Sequence, residues 1–149
     1  LRVFNAENQM TYKGSFTVAW TGPDGTGSSL LPTGRNIRFN AVKLEQVSAW
    51  DPMSGPPIQS SVFVICPQIV TNVVDIFNGV EKAALGGAQF TGGAFLNISK
   101  TLAPIKYSSN QTDVIRGEVS VIVIRPDGTV ITGLPVTTNW SVTISLWDN

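Results

Sequence analysis

Ten acidic side chains and one thiol, Cys66, are the groups that could do chemistry in this chain, and no histidine is present to assist them. Without an imidazole, Ser-His-Asp and Cys-His activation of a nucleophile are excluded, and so are most zinc sites. Cys66 ends the apolar run Val62-Phe63-Val64-Ile65-Cys66, where a thiol is expected to serve as a small buried hydrophobe. A lone cysteine also excludes an internal disulfide framework and a cysteine metal cluster. Paired carboxylates can hydrolyse a glycosidic bond, but no spacing here singles out a pair. No catalytic residue is assigned and an enzyme is not expected. The segment Gly22-Pro23-Asp24-Gly25-Thr26-Gly27-Ser28-Ser29 has the glycines of a phosphate cradle. It lacks the lysine and the following helix that a P-loop requires.

Two kinds of binding group remain. Arg35, Arg38 and Lys43 lie within nine residues. With Arg2, the one cation before Lys13, they are candidate contacts for nucleic-acid phosphates, which would hold a strand without reading its sequence. The other reading is a solvated strand edge kept charged against aggregation. Calcium takes hard oxygen ligands, so Asp113 and Asp148, with Asn149 and the Asp51 loop, are candidate ligands. No Asp-x-Asp loop gathers them locally.

The elements that must position these groups read as strands. Val119, Val121 and Val123 alternate with Ser120, Ile122 and Ile124. A Pro126-Asp127-Gly128 turn follows, then Val130-Ile131, then Trp140-Ser141-Val142-Thr143-Ile144-Ser145-Leu146-Trp147. That last run has the period-2 alternation of a strand with one buried face. Ser15 to Thr21 alternates likewise, with Phe16, Val18 and Trp20 on one face. In the loop after it, Pro23 suits a turn corner and Gly25 is expected at positive φ. Asn36 to Trp50 is a long strand whose change of phase predicts a bulge or bend near residues 40 to 42. A Pro-rich loop, Asp51 to Gln59, leads to the strand Ser61 to Ile69, in which Pro67 marks an end or an edge. Thr71 to Leu85 is the one helix candidate: Val73, Phe77, Val80 and Ala84 are helically spaced, although Asn78-Gly79 is equally a turn signal. Ala94 to Thr101 is a further strand. About eight strands with one short helical insertion predict an all-β, antiparallel double-sheet sandwich, with a jelly roll favoured.

At 149 residues the chain is read as one domain, residues 1–149, long enough to bury a core. Hydrophobic residues make up 42% and charged residues 13%, against a usual ~25% for charge. So little charge points to a surface that meets other protein, or to an adhesive β-domain rich in Ser, Thr and Asn. Ten basic and ten acidic residues cancel, leaving no global field to gather nucleic acid. No run of ~18 apolar residues predicts a membrane span. Of three glycosylation sequons, at Asn97, Asn110 and Asn139, only Asn110 falls in a predicted loop.

Ala41 to Pro57, followed by Ser60-Ser61-Val62-Phe63-Val64, resembles the single jelly-roll coat (capsid) proteins of small icosahedral RNA and satellite viruses. There a long strand ends in a small-aromatic pair, here Ala49-Trp50, before a Pro-rich loop and a second apolar strand. Trp140 to Trp147 resembles the last shell strand of that group. Phe95-Leu96-Asn97-Ile98-Ser99, with Pro104 beyond, resembles its mid-shell strand and loop. The resemblance implies a virion structural protein, made and assembled in host cytoplasm, that self-assembles into an icosahedral shell around nucleic acid, with RNA expected. It implies copies of itself as partners and no membrane, with no cofactor unless calcium sits between subunits. Trp50, Pro56 and Pro57 become candidate contacts between subunits, Trp50 alternatively being core packing at a strand end. Many such proteins begin with a basic arm, so an arm upstream of Leu1 is expected, or else the shell itself meets the genome. A competing reading is a carbohydrate- or receptor-binding sandwich, lectin-like or adhesin-like, with Trp20, Trp50 or Tyr107 as stacking platforms.

Overall fold

Alternating Val, Ile and Thr segments form strands here because each side chain fills one face of a pleated sheet while the backbone pairs with a neighbour. The computed structural model describes residues 11–30, 37–39, 41–55, 57–58, 60–69, 75–82, 84–89, 97–98, 105–106, 113–115 and 117–148. The strands among them are β1 (Thr11–Thr21), β2 (Thr26–Leu30), β3 (Ile37–Phe39), β4 (Ala41–Trp50), β5 (Ser61–Ile65), β6 (Asp75–Phe77) and β7 (Val80–Lys82). They continue with β8 (Gly86–Gln89), β9 (Asn97–Ile98), β10 (Ile105–Lys106), β11 (Asp113–Ile115), β12 (Glu118–Ile124) and β13 (Asn139–Asp148).

The first sheet has the order β1-β13-β4-β10 and the second β2-β12-β5-β8-β9. All pairings are antiparallel, and β3 with β11 and β6 with β7 form two small additional pairs. The two sheets pack as a sandwich. Phe16, Val18, Val42, Leu44, Val47, Val142, Ile144 and Leu146 from the first meet Val62, Val64, Val119, Val121 and Val123 from the second in one buried cluster. Each such fully buried aliphatic side chain contributes about 1.5–3 kcal/mol relative to exposure. The fold is therefore the expected all-β antiparallel double-sheet sandwich.

The expected helix over residues 71 to 85 is not there: the described part of that segment is the hairpin β6–β7. Asn78 and Gly79 join the strands with φ of 49° and 81°, the left-handed pair that a two-residue hairpin turn requires. Helical spacing misleads because Phe77 and Ala84 are buried in one cluster while Val80, one turn from each, is 55% exposed. Phe77 meets Phe63 edge to face, with ring centroids 4.9 Å apart, on the outer side of the second sheet. Ile122, Ile124, Phe63, Ile65 and Val130 join that cluster. This explains why β12 is apolar at consecutive positions: its valines face the core and its isoleucines face the hairpin.

The predicted long strand divides as its phase change foretold. β3 pairs with β11, whereas β4 pairs with β13. A second slip, unforeseen, lies farther along: Thr143 faces Gln46 but Ile144 faces Leu44, leaving Glu45 as the extra residue of a bulge. That bulge lets Val42 and Leu44, then Val47 and Ala49, all point inward. β5 stops at Ile65, short of the expected Ile69, and Pro67 lies just beyond the strand end. Beyond it the side chain of Gln68 substitutes for strand backbone: Ser120 N–H donates to Gln68 Oε1 at 3.0 Å, and Gln68 Nε2 donates to Ser120 Oγ at 3.1 Å.

Two glycines are required by close approach. Gly25 is not at positive φ, contrary to expectation. Instead its backbone exchanges hydrogen bonds with Ile131 (2.8 Å) and Val123 (2.7 Å), so near that a Cβ would lie 2.9 Å from the Val123 carbonyl oxygen. At Gly27 a Cβ would fall 2.1 Å from Cδ2 of Trp20. Trp20 in turn stacks on Trp140, its partner across β1 and β13, with centroids 5.3 Å apart and planes 4° from parallel.

Gly27→Ala is expected to destabilise the fold by about 1–3 kcal/mol, the usual range for overpacking a filled interior, and to disrupt the paired-indole circular dichroism signal. Urea unfolding followed by that signal checks both, and an unchanged midpoint would contradict the packing described. Cys66 is buried as the sequence implied, and burial pushes its thiol up to about 11. It is therefore expected to resist a thiol reagent at pH 8 until the chain unfolds, which timed labelling in native buffer and in denaturant would show.

Candidate interaction surface

β4 runs out at Trp50, opposite Asn139 at the start of β13. The chain then turns sharply, with Asp51 N–H donating to the Gly55 carbonyl (3.0 Å) and Gly55 N–H to the Asp51 carbonyl (2.7 Å). Gly55 sits at φ 86°, which closes the turn. The Asp51 side chain is 1% exposed, yet all its hydrogen bonds are made. Its carboxylate accepts from the hydroxyl of Ser54, the N–H of Met53 (3.3 Å) and the hydroxyl of Thr137.

Thr137 lies 86 residues away in the loop that leads into β13. That loop makes its own turn, Thr138 donating to the Pro135 carbonyl through N–H (3.0 Å) and hydroxyl (2.7 Å). A third loop joins from the end of β1. Gly22 N–H donates to the Thr138 carbonyl (2.9 Å), Trp140 Nε1 to the Gly22 carbonyl (3.0 Å), and Leu134 N–H to the Pro23 carbonyl (3.1 Å). Three loops distant in sequence are thus tied at one end of the sandwich.

What they present is apolar. Met53 is 83% exposed, Val136 73% and Trp50 41%, with Pro52 and Pro135 also exposed. The Trp50 ring approaches Gly55, where a Cβ would lie 3.7 Å from Cη2. A rigid indole among exposed apolar side chains, on loops fixed by hydrogen bonds, is the composition of a protein contact surface. The hydroxyl bonds from Ser54 and then Thr137 hold the Asp51 carboxyl below its ordinary range, against the opposing effect of burial.

Of the subunit-contact candidates, Trp50 faces outward and is not core, Pro57 is half-buried, and Pro56 lies outside the described residues. The cation candidates are partly visible. Lys43 stands opposite Ser145 and Arg38 opposite Val114, while Arg2 and Arg35 lie outside the described residues. Asp113 stands opposite Phe39 in the small β3–β11 pair, and Asp148 opposite Thr11 in the first sheet. Among the described residues no three His, Cys, Asp or Glu side chains gather at a point that would hold a metal. Trp20 is committed to packing on Trp140, and Tyr107 lies outside the described residues. The sequons at Asn97 and Asn139 fall in strands, and Asn110 is outside the described residues.

Sequence reasoning missed Met53, Val136 and the role of Asp51. Asp51-Pro52-Met53-Ser54-Gly55 carries a local signal, an aspartate able to cap its own turn. Nothing local points to Thr137. No protein-family model matches this chain, and no curated protein is significantly similar to it in sequence.

Because the folded carboxyl titrates below the ordinary 3.8, its contribution is complete above that pH and is lost as pH falls through the lower folded value. Amide exchange at residues 51, 53–55 and 136–138, corrected for its intrinsic pH dependence, is expected to quicken in that acid range. Asp51→Asn and Thr137→Val are expected to quicken it already at neutral pH. Equal exchange in the Asp51→Asn variant and the parent would refute the link between the loops.

Proposed function

We propose that this chain is the coat subunit of a small icosahedral particle, a jelly roll that assembles with copies of itself into a shell enclosing nucleic acid, RNA being expected. The strand order carries this reading. β1 lies beside β13 in one sheet and β2 beside β12 in the other, then β4 follows beside β13 and β5 beside β12. A chain wound in nested pairs, successive pairs falling in alternate sheets, is what a jelly roll requires. Taken with β8 and β10, those six strands supply the eight of that winding.

The surface supports the same reading. A rigid sandwich with 13% charged residues can bury its flanks against neighbours without stranding many ions. The tied loops with Trp50, Met53 and Val136 offer a preformed contact at one end, of the kind that closed symmetric assemblies use. The exposed Trp50 also suits the competing reading, a sandwich that stacks a sugar on an indole.

Light scattering with negative-stain microscopy, across pH and salt and with RNA added, separates the two. Uniform particles of megadalton mass are expected. A monomer near 15.9 kDa under every condition would overturn the shell reading and turn attention to glycans. Met53→Asp with Val136→Asp is expected to abolish particles while leaving the melting temperature unchanged, since both side chains are exposed.

A further inference from the structure

The outer face of the first sheet is mostly small and uncharged. Ser15, Thr17, Ala19 and Thr21 of β1 stand opposite Ser145, Thr143, Ser141 and Asn139 of β13, and Ser48 and Gln46 of β4 continue the rows. One corner departs from this. There Tyr12 stands opposite Trp147, Trp147 opposite Ala41, and Ala41 opposite Lys106. Directly paired residues share a face, so Tyr12, Trp147 and Ala41 form one row across β1, β13 and β4, in which Ala41 itself is fully buried. Tyr12 is 54% exposed and meets Trp147 edge to face, with centroids 5.4 Å apart.

The indole is held from below. Trp147 Nε1 donates to Ser145 Oγ at 2.9 Å, and Ser145 Oγ lies 2.7 Å from Glu45 Oε1. Ser145 is only 1% exposed, so a buried hydroxyl fixes how the ring stands on the sheet. Neither aromatic belongs to the sandwich core.

Two lysines flank the same corner. Lys43 stands opposite Ser145, and exposed Lys13 occupies the bulge between Tyr12 and Gly14. The acids nearby are Glu45, engaged with Ser145, Asp148 opposite Thr11, and Asp113 opposite Phe39. The far end of the sandwich carries both signs: Asp24 and Asp127 lie in its loops with Arg125, and Lys82 Nζ donates to the Gly128 carbonyl at 2.8 Å.

We propose that this corner, with Tyr12 and Trp147 flanked by Lys13 and Lys43, is a binding site for single-stranded nucleic acid. The rings take the bases by stacking and the lysines meet the backbone phosphates. The proposal rests on the shell reading for its setting and names the face that would meet the enclosed strand. A duplex buries its base faces and could not use the rings. A neutral glycan could use the rings but not the cations. Stacking tolerates any base, so little sequence preference is expected.

The test is fluorescence anisotropy of a labelled oligouridylate of about twelve nucleotides, within the usual site size for such grooves, against the full chain at low salt. Binding with quenching of tryptophan emission is expected. Tyr12→Leu keeps an apolar cover over Trp147 but removes a ring, and should weaken binding about tenfold, the scale of one lost stack. Tyr12→Phe should bind as the parent does. Lys43→Gln should reduce the salt slope of binding by about 0.7, the value per phosphate contact on a single strand. Melting curves guard against a variant that fails to fold, and Lys13→Gln supplies a second, exposed position. No binding at low salt, equal binding by Tyr12→Leu, or displacement by a neutral oligosaccharide would overturn the proposal. Binding by a chain that never forms particles would sink the shell reading and leave this site standing. Particles whose oligouridylate binding ignores the corner variants would sink this site alone.

Discussion

The pairing of β13 with strands on both of its sides is the constraint on which the rest depends. It is the inner strand between β1 and β4, paired with β1 from Asn139 to Asp148 and with β4 from Asn139 to Trp147, with one bulge in each partner. Its inward side chains, Trp140, Val142, Ile144 and Leu146, are each at most 2% exposed. A slip of one residue would turn all four outward and bring Ser141 and Thr143 into the core. The partners are distant, Thr17 being 126 residues from Thr143, where their hydroxyls meet at 2.9 Å. Such long-range closure costs chain entropy before any contact is gained, which makes folding slow.

Both ends of the molecule inherit their geometry from that strand. At one end its first residues fix Thr138 and Trp140, which hold Gly22, while Thr137 just before them holds Asp51. At the other end Ser145 and Trp147 build the aromatic corner with Tyr12. One strand therefore places an apolar loop surface and a ring-and-lysine surface at opposite ends of the same sheet.

Much of the fold was legible because it rests on alternation, which is local. β1, β12 and β13 read directly from Phe16-Val18, Val119-Val121-Val123 and Trp140-Val142-Ile144. The failures came where two physical demands share one segment. Around residue 78 apolar residues recur at helical spacing because they serve a hairpin and the strand after it, and only Asn78-Gly79 carried the correct signal. Gly25 looked like a turn glycine because it follows Pro-Asp, whereas the pressure on it comes from Val123, nearly a hundred residues later. The candidate surfaces were less legible still. Trp50 stood out as a residue type, but its outward orientation depends on the β4 register, and Asp51 acquires its role only when Thr137 arrives from another loop.

The scarcity of charge takes on a different meaning once the sheets are formed. A net charge of zero suggested no field for a polyanion, yet averaging over a sphere hides how charges sort along a sandwich. Lys13 and Lys43 stand at the corner by Tyr12, whereas the loop end carries Asp24 and Asp127 together with Arg125 and Lys82. With a Debye length of about 8 Å at physiological salt, a charge acts mainly on what lies close to it, so local placement counts for more than the net sum. On the proposed shell reading, a domain built this way would offer protein neighbours a flank of low charge and keep a short-range hold on a polyanion. Those are the two demands a shell places on one domain, and a uniformly charged surface would satisfy only the second.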